Sequence, residues 1–562
     1  MKKALQKLEK MADLCWISPL YRFVLFSLLT LFIVFAYGYY FGTFDQASHI
    51  PFLKKTVDPT LFPQDHFFDL RTSHYSYFWL LFIPFYKVGI LEISMFVIHL
   101  IATYLTFHAL WMLSKTLFNN SLTSFLVVIS SAFPHIGFAG FPLFEFSMLN
   151  RTVALPFELI ALNYYLKKNY AVSFLLLGLL YNLHVLSIHF IVAMIAVDSI
   201  LSFRTQRGKL IAVLKAIPIF IVCALPVLVW KANHSGLAFN VDFEWYSILD
   251  NALFYHLFNF VSISVPIVTL LTGGSIAALI LFFSINRGLK GEMHVVIRHF
   301  VYAAILIIFM QLIATYIYPS TIIVQSQVIR VGIFITLFAY IYLAHYVSLW
   351  IHRSGSVFIF LTASLLFSFS PIISLISLAF IKGIKSIKRM VVGSLILIGS
   401  FLCILGTLYL LNLSRPRISI WAEKTPFYEV QLWAKYNTPK NAVFITPPAK
   451  WWLYDVEWRV VSERTTVSTL SELLEAAFDP SYIPYWKSRF EDVAPGAIGQ
   501  FKGDYLANFK IANDAYYKNT KERFTYLAKK YKASYIVVEK THTYTFPIVY
   551  QNEKYAVYAT HY

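Results

Sequence analysis

Cysteine is nearly absent: three in 562 residues, at positions 15, 223 and 403. Cys15 sits in a basic head, and Cys223 and Cys403 sit inside apolar runs. No hydrophilic segment can therefore carry a disulfide framework, and a cysteine-built structural zinc site is excluded. Charge is sparse as well. Asp, Glu, Lys and Arg make up 14% of the chain, against about 25% in ordinary soluble domains, too little to cover a water-facing surface of this size. Motifs that mark soluble enzymes are missing too. There is no glycine-rich phosphate loop, no G-x-S-x-G elbow and no H-E-x-x-H pair, so three common hydrolytic chemistries have no sequence support.

What is present is apolar. Hydrophobic residues reach 58% and aromatics 18%, in blocks long enough to span lipid rather than in amphipathic stripes. The chain reads as a polytopic α-helical membrane protein. Its formal charge of +18 suggests no nucleic acid, because Lys and Arg fall largely in short connectors between apolar blocks, where they orient a membrane chain by the positive-inside rule. Lys2, Lys3, Lys7 and Lys10 precede the run from Phe23 to Tyr39. That run is too long for a signal-peptide core and ends in bulky residues, so it reads as a retained first helix.

Basic connectors at Lys2 to Lys10, Lys115, Lys167 and Lys168, Arg204 to Lys209, Arg287 to Arg298, His352 and Arg353, and Lys382 to Arg389 are assigned to the inner side. Crossings then fall near 22–40, 91–114, 122–134, 151–166, 170–183, 185–203, 210–230, 257–283, 299–318, 328–350, 355–370, 371–381 and 390–412, about thirteen in all. The pair at 355–381 can equally be read as a re-entrant hairpin. An odd count puts the amino end inside and the carboxyl end outside a cytoplasmic (inner) membrane. The expected organisation is a membrane domain over 1–412, with an outer loop at 41–75 and an interfacial helix at 75–89, and an outer α/β domain over 413–562. In that last region polarity rises and apolar runs shrink to strand length in "NAVFITPP", "ASYIVVEK" and "KYAVYATHY", between helical stretches such as "KERFTYLAKKYK".

The loop after the first apolar run gathers Asp45, Asp58, Asp65 and Asp69 with His49, His66, His74 and Arg71. Asp58, in "VDPTLFPQD", reads as turn chemistry. Asp45 stands apart, because other polar groups recur on the same predicted side: Glu145, Asn150 and Arg151 at the next outer mouth, Asn182 and His184 at another, and Arg330 at the start of a later span. Ionisable groups at the ends of apolar helices are costly unless they line a cavity. A carboxylate there can act as general base toward an acceptor hydroxyl or amine, and Arg330 can hold a phosphate leaving group. Glu145 and Arg151 are spaced to pair with each other across the loop. His184 and His189, five apart, miss the i, i+4 spacing of a helical metal pair and read as lining or core residues. The histidines look scattered, so no tight metal site is expected; a weakly held Mg or Mn ion on oxygen ligands is the only cation considered.

The order of parts resembles the GT-C superfamily of membrane glycosyltransferases, which use polyprenyl-phosphate-linked sugars. It includes the oligosaccharyltransferase catalytic subunits, the protein O-mannosyltransferases and the aminoarabinose transferases. The resemblance runs through the first outer loop "GTFDQASHIPF", the interfacial segment "SYFWLLFIPFYKVG", the second outer loop "FPLFEFSMLNR" and the carboxyl-terminal α/β region. It implies that Asp45 is the catalytic first-loop acid, Glu145 the second-loop acid and Arg330 a donor-phosphate contact. His49, Asp65, His66, Asp69, Arg151 and His184 are the remaining substrate-binding candidates. The implied partners are a polyprenyl-phosphate-linked sugar donor, a glycan, lipid or protein acceptor, and membrane lipids. Asp45 is followed by Gln46 rather than a second acid, the second loop lacks Asp-x-Asp, and "PSTIIVQSQ" carries no acid, departures that argue against metal dependence of the family kind. "VFITPP", "EWRVVSERTTV" and "YWKSRF" are similar to the tail of a less characterised bacterial GT-C-like group. The rival expectation is a transporter, or a lipid-glycan handling or scaffold protein with the same fold and no chemistry. Charges gathered at one face, without paired repeats, favour the enzyme.

Overall fold

The structure is a computed structural model that describes residues 2–138, 140–234, 241–253, 259, 265–354, 370–383, 416–451, 455–503 and 505–560. The crossings read at 355–370 and 390–412, Cys403 and the junction at 412/413 lie almost entirely outside the described residues.

Among the described residues, seven helices are long and apolar enough to cross a bilayer: Pro19–Tyr37, Leu91–Phe118, Val185–Ser202, Arg207–His234, Thr269–Asn286, Glu292–Tyr316 and Val328–Ile351. At about 1.5 Å per residue the shortest of them reaches roughly 27 Å, close to the thickness of a hydrocarbon core. This is a helical membrane protein with a small carboxyl-terminal sheet. Two of the other predicted crossings are shorter than the sequence pattern suggests: the runs at 122–134 and 170–183 form helices of 11 and 12 residues, whereas the run at 151–166 forms the 17-residue helix Asn150–Leu166. Asn120 and Asn169 cap the starts of the two shorter helices through their side-chain oxygens. The segment expected to lie at the interface is a 3-10 turn, Phe78–Phe82, running into the helix Ile83–Val88, which Gly89 ends in the left-handed region.

The carboxyl-terminal region holds a five-stranded sheet. Taking Tyr39–Tyr40 as β1 and Ile418–Ser419 as β2, its strands are β3 (Val443–Ile445), β4 (Thr465–Thr466), β5 (Tyr535–Glu539), β6 (Ile548–Gln551) and β7 (Tyr555–Ala559), in the order β4-β3-β5-β7-β6. β4, β3 and β5 run parallel, and β7 is antiparallel to both β5 and β6. All three strands expected from the sequence are present, as is the helix Lys521–Tyr531. Its amphipathic face sends Phe524, Leu527 and Ala528 into a core with Ile536, Val538 and Tyr558.

This region is bound to the first outer loop at several points. β1, directly after the first spanning helix, pairs in parallel with β2. Gly38 makes that possible: its φ is +87°, and a Cβ there would sit 2.8 Å from the Arg417 carbonyl oxygen. Further along, the buried Lys54 Nζ donates to Glu463 at 2.7 Å, Ser73 donates to Asp479 at 2.9 Å, and Lys440 meets Asp58 at 2.7 Å. The loop that the sequence marks as chemically interesting is thus clamped between the helix bundle and the α/β region.

Candidate functional site

A cavity of about 560 Å³ lies where the helix ends, the first outer loop and the α/β region meet. Its lining includes Asp45, His49, Arg151, His184 and Arg330 from the sequence candidates, together with His74, Lys231, Gln327, Glu475 and Asp479.

Asp45 precedes the helix Gln46–Val57, yet its carboxylate does not cap that helix. An aspartate in that position normally accepts from a first-turn amide; here Oδ2 instead accepts from Arg151 Nη1 at 2.6 Å. Phe44, just before it, holds φ at +53°, uncommon for an aromatic residue and a constraint on where Asp45 points. Gln46, where a second acid was absent from the sequence, is a buried neutral strut. Its Oε1 accepts from Gly42 N and its Nε2 donates to the Met148 carbonyl, both at 2.7 Å. Arg151 also donates from Nε to Glu145 at 2.5 Å, so the two loop acids share one guanidinium, and the Glu145–Arg151 pairing expected from spacing is present. Glu145 itself stands behind Arg151. Burial pushes the Asp45 carboxyl up, but Arg151, with Arg330, outweighs it and holds the group below the usual carboxylate range. About a third of its side-chain surface stays open.

Arg330 lies in the 3-10 turn Val328–Val331, after Gln327 at φ +44°. Its guanidinium sits 4.0 Å from the Phe141 ring centre, and Arg151 approaches the same ring at 5.9 Å, a cation–π arrangement. Gly332 lets the two segments touch, since a Cβ there would come within 2.6 Å of the Phe138 Cβ. His184 Nδ1 lies 2.5 Å from Ser187 Oγ, and that hydroxyl donates in turn to the buried Glu158. A polar chain therefore runs from the cavity wall into the bundle. The tautomer in which Nδ1 donates to Ser187 leaves Nε2 as an acceptor.

The other candidates are not brought into this cavity. Asp65 caps the 3-10 segment His66–Ser73 by accepting from Phe67 N, and it is buried against Arg459 at 2.8 and 3.4 Å. His66 and Asp69 pair with each other at 2.8 Å in the open, beside a separate shallow pocket with Tyr482 and Tyr485. Asp58 accepts from the backbone and hydroxyl of Thr60, the turn role its sequence suggested.

The reading of the histidines as scattered does not survive. His49 and His74 face each other with ring centres 4.3 Å apart, and both approach Glu475. Chain separation hid this, because Glu475 lies about four hundred residues downstream in "SELLEAAFDP", where it looks like the polar face of an ordinary helix. Burial, His74 and Arg71 push the His49 imidazole down to about 3 against Glu475 and Asp45, so it is neutral at physiological pH. No protein-family model matches the chain, and no curated protein matches it significantly.

Proposed function

We propose that the protein is a GT-C-type membrane glycosyltransferase. It takes a sugar from a polyprenyl-phosphate-linked donor and transfers it, with inversion, to a glycan, lipid or protein acceptor on the outer face of the cytoplasmic membrane. The fuller topology goes with this reading: about thirteen crossings, amino end inside and carboxyl-terminal domain outside. The observation that carries it is one cavity in which the Asp45 carboxylate, the Arg151 and Arg330 guanidiniums and the His184 imidazole converge at the mouth of an apolar bundle. A lipid-borne anion reaches such a place along the bilayer, and a hydrophilic acceptor reaches it from water.

The chemistry balances on these groups. The acceptor hydroxyl forms a bond to the anomeric carbon while the anomeric C–O bond to phosphate breaks. The electron pair leaves with the polyprenyl phosphate, whose charge Arg330 holds, and the hydroxyl proton passes to Asp45. A carboxylate held below its usual range is a weak base in the ground state. It becomes competent late in the reaction, when the attacking hydroxyl has turned acidic, and until then its ionisation by Arg151 lets it orient the acceptor. Since Arg330 acts on a phosphate already charged in the ground state, its loss belongs in donor affinity rather than turnover.

Lipid-linked sugar profiling in a deletion strain tests this. The deletion strain should accumulate one lipid-linked sugar that the wild-type gene clears. Asp45→Asn, expressed to the same level, should clear it at least about a hundredfold more slowly, and Arg330→Ala should be rescued by raised donor. Full complementation by Asp45→Asn would mean a scaffold. Graded movement of the lipid-linked sugar across the membrane without a glycosylated product would mean a transporter.

A further inference from the structure

We infer that His49, His74 and Glu475 form a binding site for a zinc-type divalent transition-metal ion, which fastens the α/β region to the first outer loop and keeps one coordination position turned to the cavity. The inference stands on these three side chains and does not depend on the cavity carrying out glycosyl transfer.

Each residue offers one ligand atom, and the three atoms lie within 4.8 Å of one another. His49 Nε2 is 3.6 Å from Glu475 Oε1, and His74 Nδ1 is 3.1 Å from Glu475 Oε2. Tetrahedral zinc with bonds of about 2.0–2.1 Å separates its donor atoms by roughly 3.3 Å; the two histidine nitrogens lie near that distance from one or other oxygen of Glu475, and the three ligand atoms, within 4.8 Å of one another, need close in only modestly around an ion. Direct ion pairing explains the cluster less well. The His49 contact is too long for a hydrogen bond, and the His74 contact, though close, leaves Glu475 Oε2 buried without a hydrogen-bond partner. Buried polar atoms left this way are rare and require a cause.

The surroundings suit a first shell. Trp79 stacks on His49 at 4.7 Å with rings 24° apart, which fixes the ring plane. Arg71 is the adverse charge nearby. It is occupied, donating to the carbonyls of His74 and Ser76 at 3.3 and 3.5 Å and lying over Trp230 at 4.8 Å. Asp45 adds a negative charge near His49. Two imidazoles and a carboxylate select zinc, cobalt or nickel over magnesium or calcium. All three residues line the cavity, so the remaining position is open to a water or an oxyanion, as in three-ligand zinc sites.

The full-length protein in detergent, stripped with chelator and dialysed against micromolar zinc, should retain about one equivalent by elemental analysis. Co²⁺ should give the visible bands of four-coordinate cobalt, bleached by added zinc. Glu475→Gln and His74→Ala should each lose the metal, whereas His66→Ala, in the exposed pair, should keep it. If either variant fails to fold, the wild-type protein decides alone, because zinc at about 100 times its Kd should shift the folding equilibrium about a hundredfold and raise the apparent Tm, and chelator should reverse this. Wild-type protein holding less than about a tenth of an equivalent, variants binding as wild type does, or magnesium competing at equal concentration would each overturn the site.

Discussion

Two ionic clusters hold the first outer loop against the α/β region, and they are built from similar parts to opposite ends. In one, Arg459 is buried among Asp65, Glu457 and Glu472, at 2.8 to 2.9 Å from an oxygen of each, and the Thr469 backbone N–H and the Tyr482 hydroxyl donate to Glu472. In the other, Arg151 joins Asp45 and Glu145, with His49, His74 and Glu475 adjacent. The first is sealed, and its three carboxylates are satisfied from within. The second opens on a cavity, leaves Asp45 partly exposed, and contains buried atoms with no hydrogen-bond partner. Saturation makes the Arg459 cluster a rivet; incompleteness makes the Asp45 cluster a site. A buried charge network with nothing left to bind can only stabilise or specify, whereas one with unmet capacity at a cavity wall can act on a ligand.

The sharpest way to break this comparison is to remove the rivet's cation. Arg459→Met keeps the stem but leaves three carboxylates buried around an apolar chain, and should cost about 3–5 kcal/mol. A large fall in apparent Tm in detergent, with protease cleavage near the loop 58–75, is the expected result. A variant as stable as wild type would mean the cluster clamps nothing.

A smaller effect concerns pH. Burial, with Glu472 adding to it, pushes the Glu457 carboxyl up to about 7 against the pull of Arg459. A raised acid contributes stability that is full below its ordinary value near 4.5 and lost as pH rises through about 7. Glu457→Gln removes that dependence, so its Tm relative to wild type should climb by a few degrees between pH 5 and pH 7.5. His49, pushed down, works in the opposite direction in both proteins, and comparing the two cancels it. A flat difference would put Glu457 among ordinary ionised groups.

The smallest effect belongs to Asp58, whose pair with Lys440 is exposed. Asp58→Asn should change stability by less than about 1 kcal/mol and leave sugar profiles unchanged. A phenotype matching that of Asp45→Asn would collapse the distinction between cavity acid and turn acid.

Asp45 and Asp65 show what could be read in advance. Both stand in the same loop, beside or near aromatics, twenty residues apart. A local pattern cannot separate them, because the difference lies in what packs over each: Arg459 and a closed core over one, open cavity over the other. Asp58 was legible because an Asp-Pro turn is made within a few residues. The membrane class, the strands β3, β5 and β7 and the Glu145–Arg151 pair were legible for the same reason, each resting on composition, on a period of two, or on neighbours in the chain. Helix ends were less legible than helix starts: Asn120 and Asn169 mark starts by capping, whereas the helices Ser121–Ser131 and Tyr170–Tyr181 stop short of the apolar runs that contain them, a stop that hydropathy does not register.

By itself the sequence determined that this chain is helical, apolar and membrane-bound, that it carries polar groups at the ends of its helices, and that its tail can make a small sheet. These follow from side-chain transfer energies and short-range periodicity, which act residue by residue. Tertiary structure alone decided which of those polar groups meet when they lie far apart in the chain. Glu475 reaches His49 and His74, and Arg459 reaches Asp65, because the α/β region lies on the first loop, held there by the β1–β2 pairing and by contacts such as Lys54–Glu463. Charges attract through space, not along the chain, and contacts across about four hundred residues exist only once the chain has folded.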